Sequence, residues 1–266
     1  MILPREVQLE QKGFELGAIL SDYDGTLAPD EVRRKESRIP KLIGRELQAL
    51  AEEIPLAIIT SKDFSFVYPR ARFPSAWACV SGLEIVGPRG RLFLEDHLQG
   101  LDAIARQVRE RIRETCSLEL KWSSTGHLLG FSIDWRYSPK LSSETIKSLL
   151  DEFSEEGLYV NYEEPHPFID VYAAAPNKGK ALHRLKDLLG IRGPVMYLGD
   201  SMMDNEAFLV ADVPVCVLHG QPTDRLSCKF AVRYDELGLF LRALREAGLV
   251  FRTKGFPMLI GRNVQC

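Results

Sequence analysis

Short apolar runs alternate with helical patterns in the first and last thirds of the chain. Residues 17–20 and 55–59 are apolar runs of strand length, and between them apolar side chains recur at helical spacing over residues 43–50. The same order returns in the last third, where a helical pattern at 182–189 precedes an apolar run at 194–198. Strands that are connected through helices pair in parallel, so this pattern predicts βαβ units in a Rossmann-like parallel-sheet core.

From about residue 97 the pattern changes, because each helical stretch is now followed by two segments in which apolar and polar residues alternate. The helical stretches are 101–112 and 146–153, and the alternating segments are 117–122, 129–135, 158–161 and 168–172. The order αββαββ predicts an antiparallel sheet with two helices on one face. We therefore predict an α/β fold in which residues 1–96 and 175–266 form the core and residues 97–174 form an inserted α+β domain.

The composition is typical of a globular protein. At 266 residues, with 45% hydrophobic and 27% charged residues, the chain can build one large or two modest domains. A net charge of −3 argues against a nucleic-acid-binding surface. No segment reaches the apolar length of a membrane span, and the first residues lack a long apolar region. These features predict a cytoplasmic protein without nucleic-acid or membrane partners, and they leave the oligomeric state open.

Two minor features modify this picture little. The basic run Arg33-Arg34-Lys35 lies between Glu31 and Glu36 and is interpreted as a solvated loop that can help to attract an anionic substrate. The five cysteines form no CxxC pair and no metal-like spacing with the histidines, which favours a reducing compartment and leaves a single disulfide open. They are Cys79, Cys116, Cys216, Cys228 and Cys266.

Two aspartates at the end of the first strand are the strongest candidates for chemistry. Asp22 and Asp24 follow the apolar run directly and precede Gly25, so a tight turn places both carboxylates at the carboxyl end of a strand. At positions i and i+2 they point the same way, which allows one to act as a nucleophile and the other as an acid/base. Their mutual repulsion favours a bound divalent cation such as Mg²⁺. An acidic surface turn is the alternative interpretation.

Three later segments add candidates, each with an ordinary structural alternative. Thr60 and Ser61 end the second strand and face the crevice where open α/β sheets bind ligands, or they cap the next helix. Lys178 begins a helix, where its charge opposes the macrodipole unless an anion is near; a surface lysine is the alternative. Asp200 and Asp204 follow another strand end and can complete an oxygen-rich magnesium site; the alternative is that Asp200 and Ser201 cap a helix that begins near Met202.

Taken in order, these segments resemble the four motifs of the haloacid dehalogenase (HAD) superfamily of aspartate-nucleophile phosphotransferases. The segments are Asp22-Tyr23-Asp24-Gly25-Thr26, Thr60-Ser61, Lys178 and Gly199-Asp200-Ser201-Met202-Met203-Asp204. The inserted αββαββ block resembles the superfamily's larger, C2-type cap. Along most of its length the chain is similar to the trehalose-phosphate phosphatases, including Ser81-Gly82-Leu83-Glu84, Leu118-Glu119-Leu120-Lys121 and Asn177-Lys178-Gly179-Lys180.

The resemblance implies a role for each matching residue. Asp22 is expected to be the nucleophile that forms an aspartyl-phosphate, Asp24 the acid/base, Thr60 a ligand of a phosphoryl oxygen and Lys178 the cation that balances the charge. Mg²⁺ is expected on Asp22, the Asp24 backbone carbonyl and Asp200, with Asp204 and Asn205 supporting these ligands from behind. The residues expected to contact the substrate are Ser61, Glu119, Lys121, Arg136 and Asp170. For Glu119 and Lys121, an exposed polar strand face is the structural alternative.

Three departures from the trehalose-phosphate phosphatase pattern concern the substrate. Thr60-Ser61-Lys62 replaces the usual Ser-Gly-Arg, Asp134-Trp135-Arg136 lacks the usual histidine, and Asp170 stands where glutamate is typical. We therefore expect a magnesium-dependent phosphatase of a sugar phosphate, with trehalose 6-phosphate or a related disaccharide phosphate as the first candidate. The alternatives are a glycosyl-3-phosphoglycerate or sucrose-phosphate phosphatase, a phosphomutase, and a non-catalytic module that binds a sugar phosphate.

Overall fold

The computed structural model describes residues 13–261 except 30–31, 91, 95–99, 113–114, 165, 221–224 and 254. The helices are α1 (Lys41–Glu53), α2 (Phe64–Val67), α3 (Leu101–Ile112), α4 (Ser143–Glu155), α5 (Lys178–Leu189), α6 (Asn205–Val210) and α7 (Leu237–Glu246). The first strands are β1 (Phe14–Glu15), β2 (Ala18–Ser21), β3 (Leu56–Ile59), β4 (Ala76–Cys79), β5 (Glu84–Val86), β6 (Leu92–Leu94), β7 (Ser117–Trp122) and β8 (Leu128–Asp134). The remaining strands are β9 (Tyr159–Asn161), β10 (Phe168–Tyr172), β11 (Val195–Gly199), β12 (Val213–Leu218), β13 (Phe230–Arg233), β14 (Val250–Phe251) and β15 (Ile260–Gly261).

A large, mainly parallel sheet forms the centre of the molecule. Within the described residues it has nine strands in the order β15-β13-β12-β11-β2-β3-β4-β5-β6. Neighbouring strands from β13 to β4 pair in parallel, whereas β15, β5 and β6 add antiparallel edges. The predicted α/β class with a parallel core is confirmed.

Strand β2 occupies the middle of this sheet because both of its faces are apolar. Ile19 packs into a cluster with Leu47 of α1 and Phe240 of α7, and Leu20 packs on the opposite face with Leu182 of α5 and Phe208 of α6. Successive residues of a strand alternate between faces, so a continuous apolar run is what a strand covered by helices on both sides requires. The parallel pairing with β3 and β11 brings the carboxyl ends of these three strands to one edge of the sheet.

A second sheet carries the alternating segments of the middle of the chain. Its described strands pair antiparallel throughout in the order β7-β8-β10-β9. Phe131 and Ile169 face a hydrophobic cluster that includes Phe153 of α4 and Val108 of α3. The αββαββ order is therefore observed. The boundary predicted between 96 and 97 lies outside the described residues, and the division of the chain into domains stays a prediction.

Several features of the structure were not predicted from the sequence. Strands β13 and β15 and the pair β1–β14 are short, from two to four residues, and depend on pairing with neighbours that are distant in sequence. Cys216 of β12 and Cys228 form a disulfide with their Cα atoms 5.8 Å apart, so the single disulfide that the sequence left open is present.

No helix within the described residues combines the length and the apolar character needed to cross a membrane.

Candidate active site

The turn after β2 places Asp22 and Asp24 at the sheet edge. The backbone N–H of Asp22 donates to the Leu198 carbonyl of β11 at 2.8 Å, which ties the start of the turn to the neighbouring strand. The turn closes through a hydrogen bond from the Leu27 N–H to the Tyr23 carbonyl at 2.9 Å. Asp22 is almost fully buried, whereas a quarter of the Asp24 side chain, 24%, is exposed. This geometry excludes the alternative of an acidic surface turn for Asp22.

Gly25 is needed in this turn for both its backbone and its size. Its φ of +75° lies in the left-handed region that favours glycine. A Cβ atom at this position would lie 2.1 Å from Oδ2 of Asp200. The close approach of the Gly25 backbone therefore packs the first motif directly against the carboxylate that follows β11.

Lys178 connects the carboxylates of two strands. It is the first residue of α5, it is only 3% exposed, and its Nζ lies 3.0 Å from Oδ1 of Asp22 and 2.7 Å from Oδ1 of Asp204. Asn177 caps the helix by accepting a hydrogen bond from the Lys180 N–H at 2.7 Å, which fixes the first turn. The cost of a cation at a helix N-terminus is thus offset by two buried anions, and the surface-lysine alternative is wrong.

Asp204 is held by donors on both of its carboxylate oxygens. Oδ1 accepts from Lys178 and from the hydroxyl of Tyr197 at 2.6 Å. Oδ2 accepts from the N–H groups of Asp200 and Ser201 at 3.1 and 3.0 Å and from the Ser201 hydroxyl. Ser201 and Asp204 form a capping box, so the helix-cap interpretation of Ser201 is confirmed. Because its oxygens are already engaged, Asp204 is suited to fixing its neighbours in place.

The charges of this site are unbalanced without a further cation. Burial raises the pKa of Asp22 to about 7 although Lys178 opposes the shift, and burial together with the Asp204 charge raises the pKa of Asp200 well above its usual range. The pKa of Asp204 is lowered because Lys178 and hydrogen bonds outweigh its burial. Carboxylate oxygens of Asp22, Asp200 and Asp204 lie within 4.8 Å of one another. Three carboxylates share one lysine, and because Asp204 is already engaged, the oxygens of Asp22 and Asp200 are the donors that fit a hard divalent cation.

The second motif is placed at the adjacent strand end. Thr60 is fully buried after β3, and its hydroxyl accepts a hydrogen bond from the Lys62 N–H at 3.1 Å, whereas Ser61 lines the cavity described below. Asp63 caps α2 by accepting from the Phe66 N–H at 2.8 Å. The helix-cap alternative for Thr60 and Ser61 is therefore wrong, because the cap lies two residues further along the chain.

A cavity of about 480 Å³ separates the sheet edge from the polar face of the second sheet. All five residues predicted to contact the substrate line it, namely Ser61, Glu119, Lys121, Arg136 and Asp170. Glu119 and Asp170 reach it because both pair with Ser132 across adjacent antiparallel strands, so the three side chains share one face. The cavity is also lined by four ring-bearing side chains, namely Tyr137, Tyr162, His166 and Phe168.

Lys121 and Asp170 form a buried ion pair within this wall. Lys121 is 1% exposed and its Nζ lies 2.7 Å from Oδ1 of Asp170, which also accepts from the Ser132 hydroxyl. Burial opposes both charges, but their mutual attraction outweighs it, so the pKa of Lys121 is raised and that of Asp170 is lowered. The exposed-face alternative is wrong for Lys121. Because both groups are already paired with each other, they fix the shape of this wall of the cavity.

Several residues around Asp24 were missed at the level of sequence. The Ser37 hydroxyl donates to Oδ1 of Asp24 at 3.1 Å, and Nζ of Lys62 lies 3.9 Å from Oδ2. Arg34 was assigned to a solvated loop, yet it pairs with Asp63 at 2.9 Å and lies over the Phe66 ring at 4.4 Å from the ring centroid. The solvated-loop interpretation therefore fails for Arg34, whose side chain lines the cavity, while its predicted attraction of an anionic substrate stays a prediction. The basic run and the unusual lysine in the second motif were the available signals.

Asn205 occupies a different position from the one expected. Its side-chain amide donates to the Arg225 carbonyl at 2.9 Å and accepts from the Ser227 N–H at 2.8 Å. It therefore holds the segment before Cys228. Nothing among its described contacts reaches the carboxylates of Asp22 or Asp200.

Sequence comparison finds relatives of several kinds. No protein-family model matches the chain. An uncharacterized glycosyl hydrolase of Mycobacterium tuberculosis is 25% identical over 233 residues, which cover 79% of this chain and 17% of that protein. Phosphoglycolate phosphatase 2 of Saccharolobus solfataricus is 25% identical over 207 residues, 77% of this chain and 80% of that one. The trehalose-phosphate phosphatase of Mycobacterium ulcerans is 26% identical over 230 residues, 78% of this chain and 55% of that one. The chain thus spans only part of the first and third relatives.

Solved structures share the fold of the chain at lower sequence identity. The C-terminal domain of Candida albicans trehalose-6-phosphate phosphatase has a TM-score of 0.70 at 16% identity and covers 88% of this chain and 92% of its own. A HAD-superfamily phosphatase of Bacteroides thetaiotaomicron has a TM-score of 0.64 at 16% identity and covers 94% of this chain and 99% of its own. The chain has the HAD phosphatase fold. The resemblance that the four motifs predicted is confirmed, and in this HAD fold the residues of the first, third and fourth motifs meet around Lys178.

Proposed function

We propose that the chain is a magnesium-dependent phosphomonoesterase that hydrolyses a sugar phosphate through an aspartyl-phosphate intermediate. The observation that carries this proposal is Lys178, which is buried between the carboxylates of Asp22 and Asp204 beside Asp200. A lysine in this position can neutralise a nucleophilic carboxylate and an incoming phosphoryl group together. The relatives named as phosphatases and the shared fold support the same reaction class.

The chemical steps follow from the positions of the two aspartates at the strand end. The Asp22 carboxylate attacks the phosphorus atom, and the bond from phosphorus to the sugar oxygen breaks. Asp24, which is partly exposed to the cavity, gives a proton to the departing oxygen and then takes one from the water that cleaves the aspartyl-phosphate. Ser37 donates to Oδ1 of Asp24, whereas Oδ2 is buried and accepts no hydrogen bond within the described residues, so Oδ2 is proposed to make the proton transfers.

Mg²⁺ would be held by Asp22, the Asp24 backbone carbonyl and Asp200, and when bound it would supply positive charge against the phosphoryl oxygens. Asp204 supports this group by fixing Lys178 and the backbone at Asp200 and Ser201. Thr60 is proposed to hold a phosphoryl oxygen. The raised pKa of Asp200 and of Asp22 supports the assignment, because a cation would stabilise carboxylates that burial otherwise disfavours.

The leaving group is proposed to be a disaccharide, with trehalose 6-phosphate as the first substrate to test. The cavity of about 480 Å³ is within the size range of ligand pockets, and its wall combines polar groups with aromatic rings, as sugar binding requires. The names of one curated relative and of one solved structure point to trehalose 6-phosphate.

Phosphate release from a substrate panel tests this function. With Mg²⁺ present, we expect inorganic phosphate from sugar phosphates, and we expect a chelator to lower the rate at least ~100-fold because the metal and its charge are lost. The panel contains trehalose 6-phosphate, sucrose 6-phosphate, a glycosyl-3-phosphoglycerate, glucose 6-phosphate and 4-nitrophenyl phosphate. A product that is an isomeric sugar phosphate, without free phosphate, would identify a mutase. Binding without turnover of every compound would identify a non-catalytic module.

Gly25→Ala is expected to weaken Mg²⁺ binding about 10-fold or more, because the new Cβ displaces Asp200. The matched control is Gly126→Ala, where φ is +89° but no atom lies within 4 Å of the added Cβ. Both variants carry the backbone strain of a non-glycine residue at positive φ, and only the first carries the clash. Calorimetric titration with Mg²⁺ measures the difference. Equal affinities in the two variants would contradict the assigned role of Asp200.

A further inference from the structure

Arg34 and Lys62 lie together on the core side of the cavity and share one carboxylate from the opposite wall. Glu119 of β7 contacts the Arg34 guanidinium, and its Oε1 lies 3.6 Å from Nζ of Lys62. Lys62 and Glu119 are largely withdrawn from solvent, with exposed fractions of 16% and 18%, whereas about one third of the Arg34 side chain, 35%, is exposed. The contact therefore joins the second sheet to the parallel-sheet core beside the turn that carries Asp22 and Asp24.

The cluster of Arg34, Lys62 and Glu119 lies next to Asp24, where the leaving group must depart. Lys62 Nζ is 3.9 Å from Oδ2 of Asp24, the proposed acid/base, and 3.6 Å from Oε1 of Glu119. One ammonium group therefore lies within 4.0 Å of both carboxylates. A substrate atom a few bonds from the scissile oxygen therefore comes close to Glu119.

The cavity has no unpaired cation among the described residues that line it. Each arginine or lysine of the wall has a carboxylate within 4.0 Å: Arg34 with Glu119 and Asp63, Lys62 with Glu119 and Asp24, Lys121 with Asp170, Arg136 with Asp134, Lys178 with Asp22 and Asp204, and Arg225 with Glu163. Lys178 faces the phosphoryl group. A second negative charge on the substrate would find every other cation already compensated, and beside Lys62 it would meet Glu119.

We propose that Glu119, held by Arg34 and Lys62, is a selectivity residue that favours phosphoesters with an uncharged leaving group over those with a carboxylate near the scissile oxygen. This inference rests on the proposed phosphatase function. The physical reason is that juxtaposed like charges at a partly desolvated site are costly, so that a carboxylate close to Glu119 weakens binding. Hydroxyl groups suffer no such repulsion, and the Glu119 carboxylate can accept their hydrogen bonds.

A matched pair of small substrates isolates the effect of charge. Glycerol 3-phosphate and 3-phosphoglycerate have the same carbon skeleton, and they differ in a hydroxymethyl group or a carboxylate two carbons from the phosphorylated one. We expect the wild-type kcat/KM to be at least ~10-fold higher for glycerol 3-phosphate. Glu119→Gln keeps the shape of the side chain and leaves the positive charges of Arg34 and Lys62 partly uncompensated. We therefore expect the ratio of kcat/KM for glycerol 3-phosphate to kcat/KM for 3-phosphoglycerate to fall at least ~10-fold.

Glu152→Gln is the control for net charge. It removes the same charge from α4, on the helix side of the second sheet, where Glu152 pairs with Arg111 at 2.8 Å, and it should leave the ratio unchanged. A wild-type preference for 3-phosphoglycerate would overturn the proposal, because Arg34 and Lys62 would then be an anion site from which Glu119 is displaced. A ratio that Glu119→Gln changes less than twofold, or that Glu152→Gln changes as much, would overturn it as well.

Binding measurements separate this inference from the function on which it rests. If wild-type protein with Mg²⁺ releases phosphate from no compound of the panel, the proposed function fails. Calorimetric affinities of the same two ligands for Asp22→Asn and for Asp22→Asn/Glu119→Gln still decide the selectivity. A preference for glycerol 3-phosphate that is lost in the double variant supports the proposal, and equal affinity ratios in both proteins contradict it.

Discussion

Asp22→Asn is expected to lower kcat at least ~10³-fold, because an amide cannot form the covalent phosphoryl intermediate. The variant should remain folded. Asp22 is nearly buried with a pKa raised to about 7, so a neutral amide of the same shape is tolerated, and Lys178 keeps Asp204 as its counter-ion. Phosphate release measures the rate, and acid quenching with radiolabelled substrate measures the phosphoryl group bound to the protein. We expect label on the wild type and none on the variant.

Asp151→Asn is a suitable control for this experiment because Asp151 is an exposed residue of α4. It should retain the wild-type rate and the wild-type amount of bound label. Asp22→Asn activity within tenfold of the wild type, or label that persists in the variant, would contradict a nucleophilic role. Attack by water on the substrate without a covalent intermediate would then be the better description.

Lys178→Met should destabilise the protein by about 3–5 kcal/mol near pH 7.5, because it leaves buried carboxylates without their cation. The pKa of Asp204 is lowered in the folded wild type, so its contribution to stability is present above its unfolded pKa near 3.8 and is lost as the pH falls through the lower folded value. Without Lys178 this lowering disappears, and burial raises the pKa of both Asp22 and Asp204. The deficit of the variant should therefore be largest at neutral pH and should shrink as the pH falls toward 4.

Urea unfolding of both proteins without Mg²⁺ at pH 7.5 and pH 5 measures this difference. Lys180→Met is the matched control, since Lys180 is an exposed lysine two residues along α5, and it should cost less than ~0.5 kcal/mol. A deficit for Lys178→Met that does not change with pH would show that packing, rather than charge, accounts for its effect. Catalytic activity of Lys178→Met should be lost together with the stability.

The core of the fold was predictable because its strands are buried on both faces. The runs that became β2 and β3 contain residues such as Ile19, Leu20 and Ile58 in unbroken succession, and a short continuous apolar run between turn signals is the pattern of a central parallel strand. In contrast, the edge strand β15 has only Ile260 and Gly261, both exposed, and exists because it pairs with β13. Such a strand leaves no periodicity in the sequence.

The residues proposed to be catalytic were predictable from their order, and so were several residues of the cavity wall, whereas the contacts of Arg34 and Lys62 were not. Asp22 and Asp200 directly follow strands and Lys178 begins a helix, so a local pattern identifies them. Arg34 contacts Asp63 and Glu119, and Lys62 contacts Glu119, which are partners that are distant in sequence or that look like ordinary surface charges. Pairwise contacts of this kind depend on tertiary structure, and no local pattern encodes them.

The alternation of side chains in the second sheet has a consequence for the evolution of substrate range. Phe131 and Ile169 hold the sheet to its helices, while the next residue along each strand, Ser132 and Asp170, lines the cavity. Stability and ligand recognition are therefore encoded at interleaved positions of the same strands. Mutational drift at Glu119 can explore new ligands without loss of the fold, but Lys121 and Asp170 constrain each other, and Ser132 is tied to the same carboxylate.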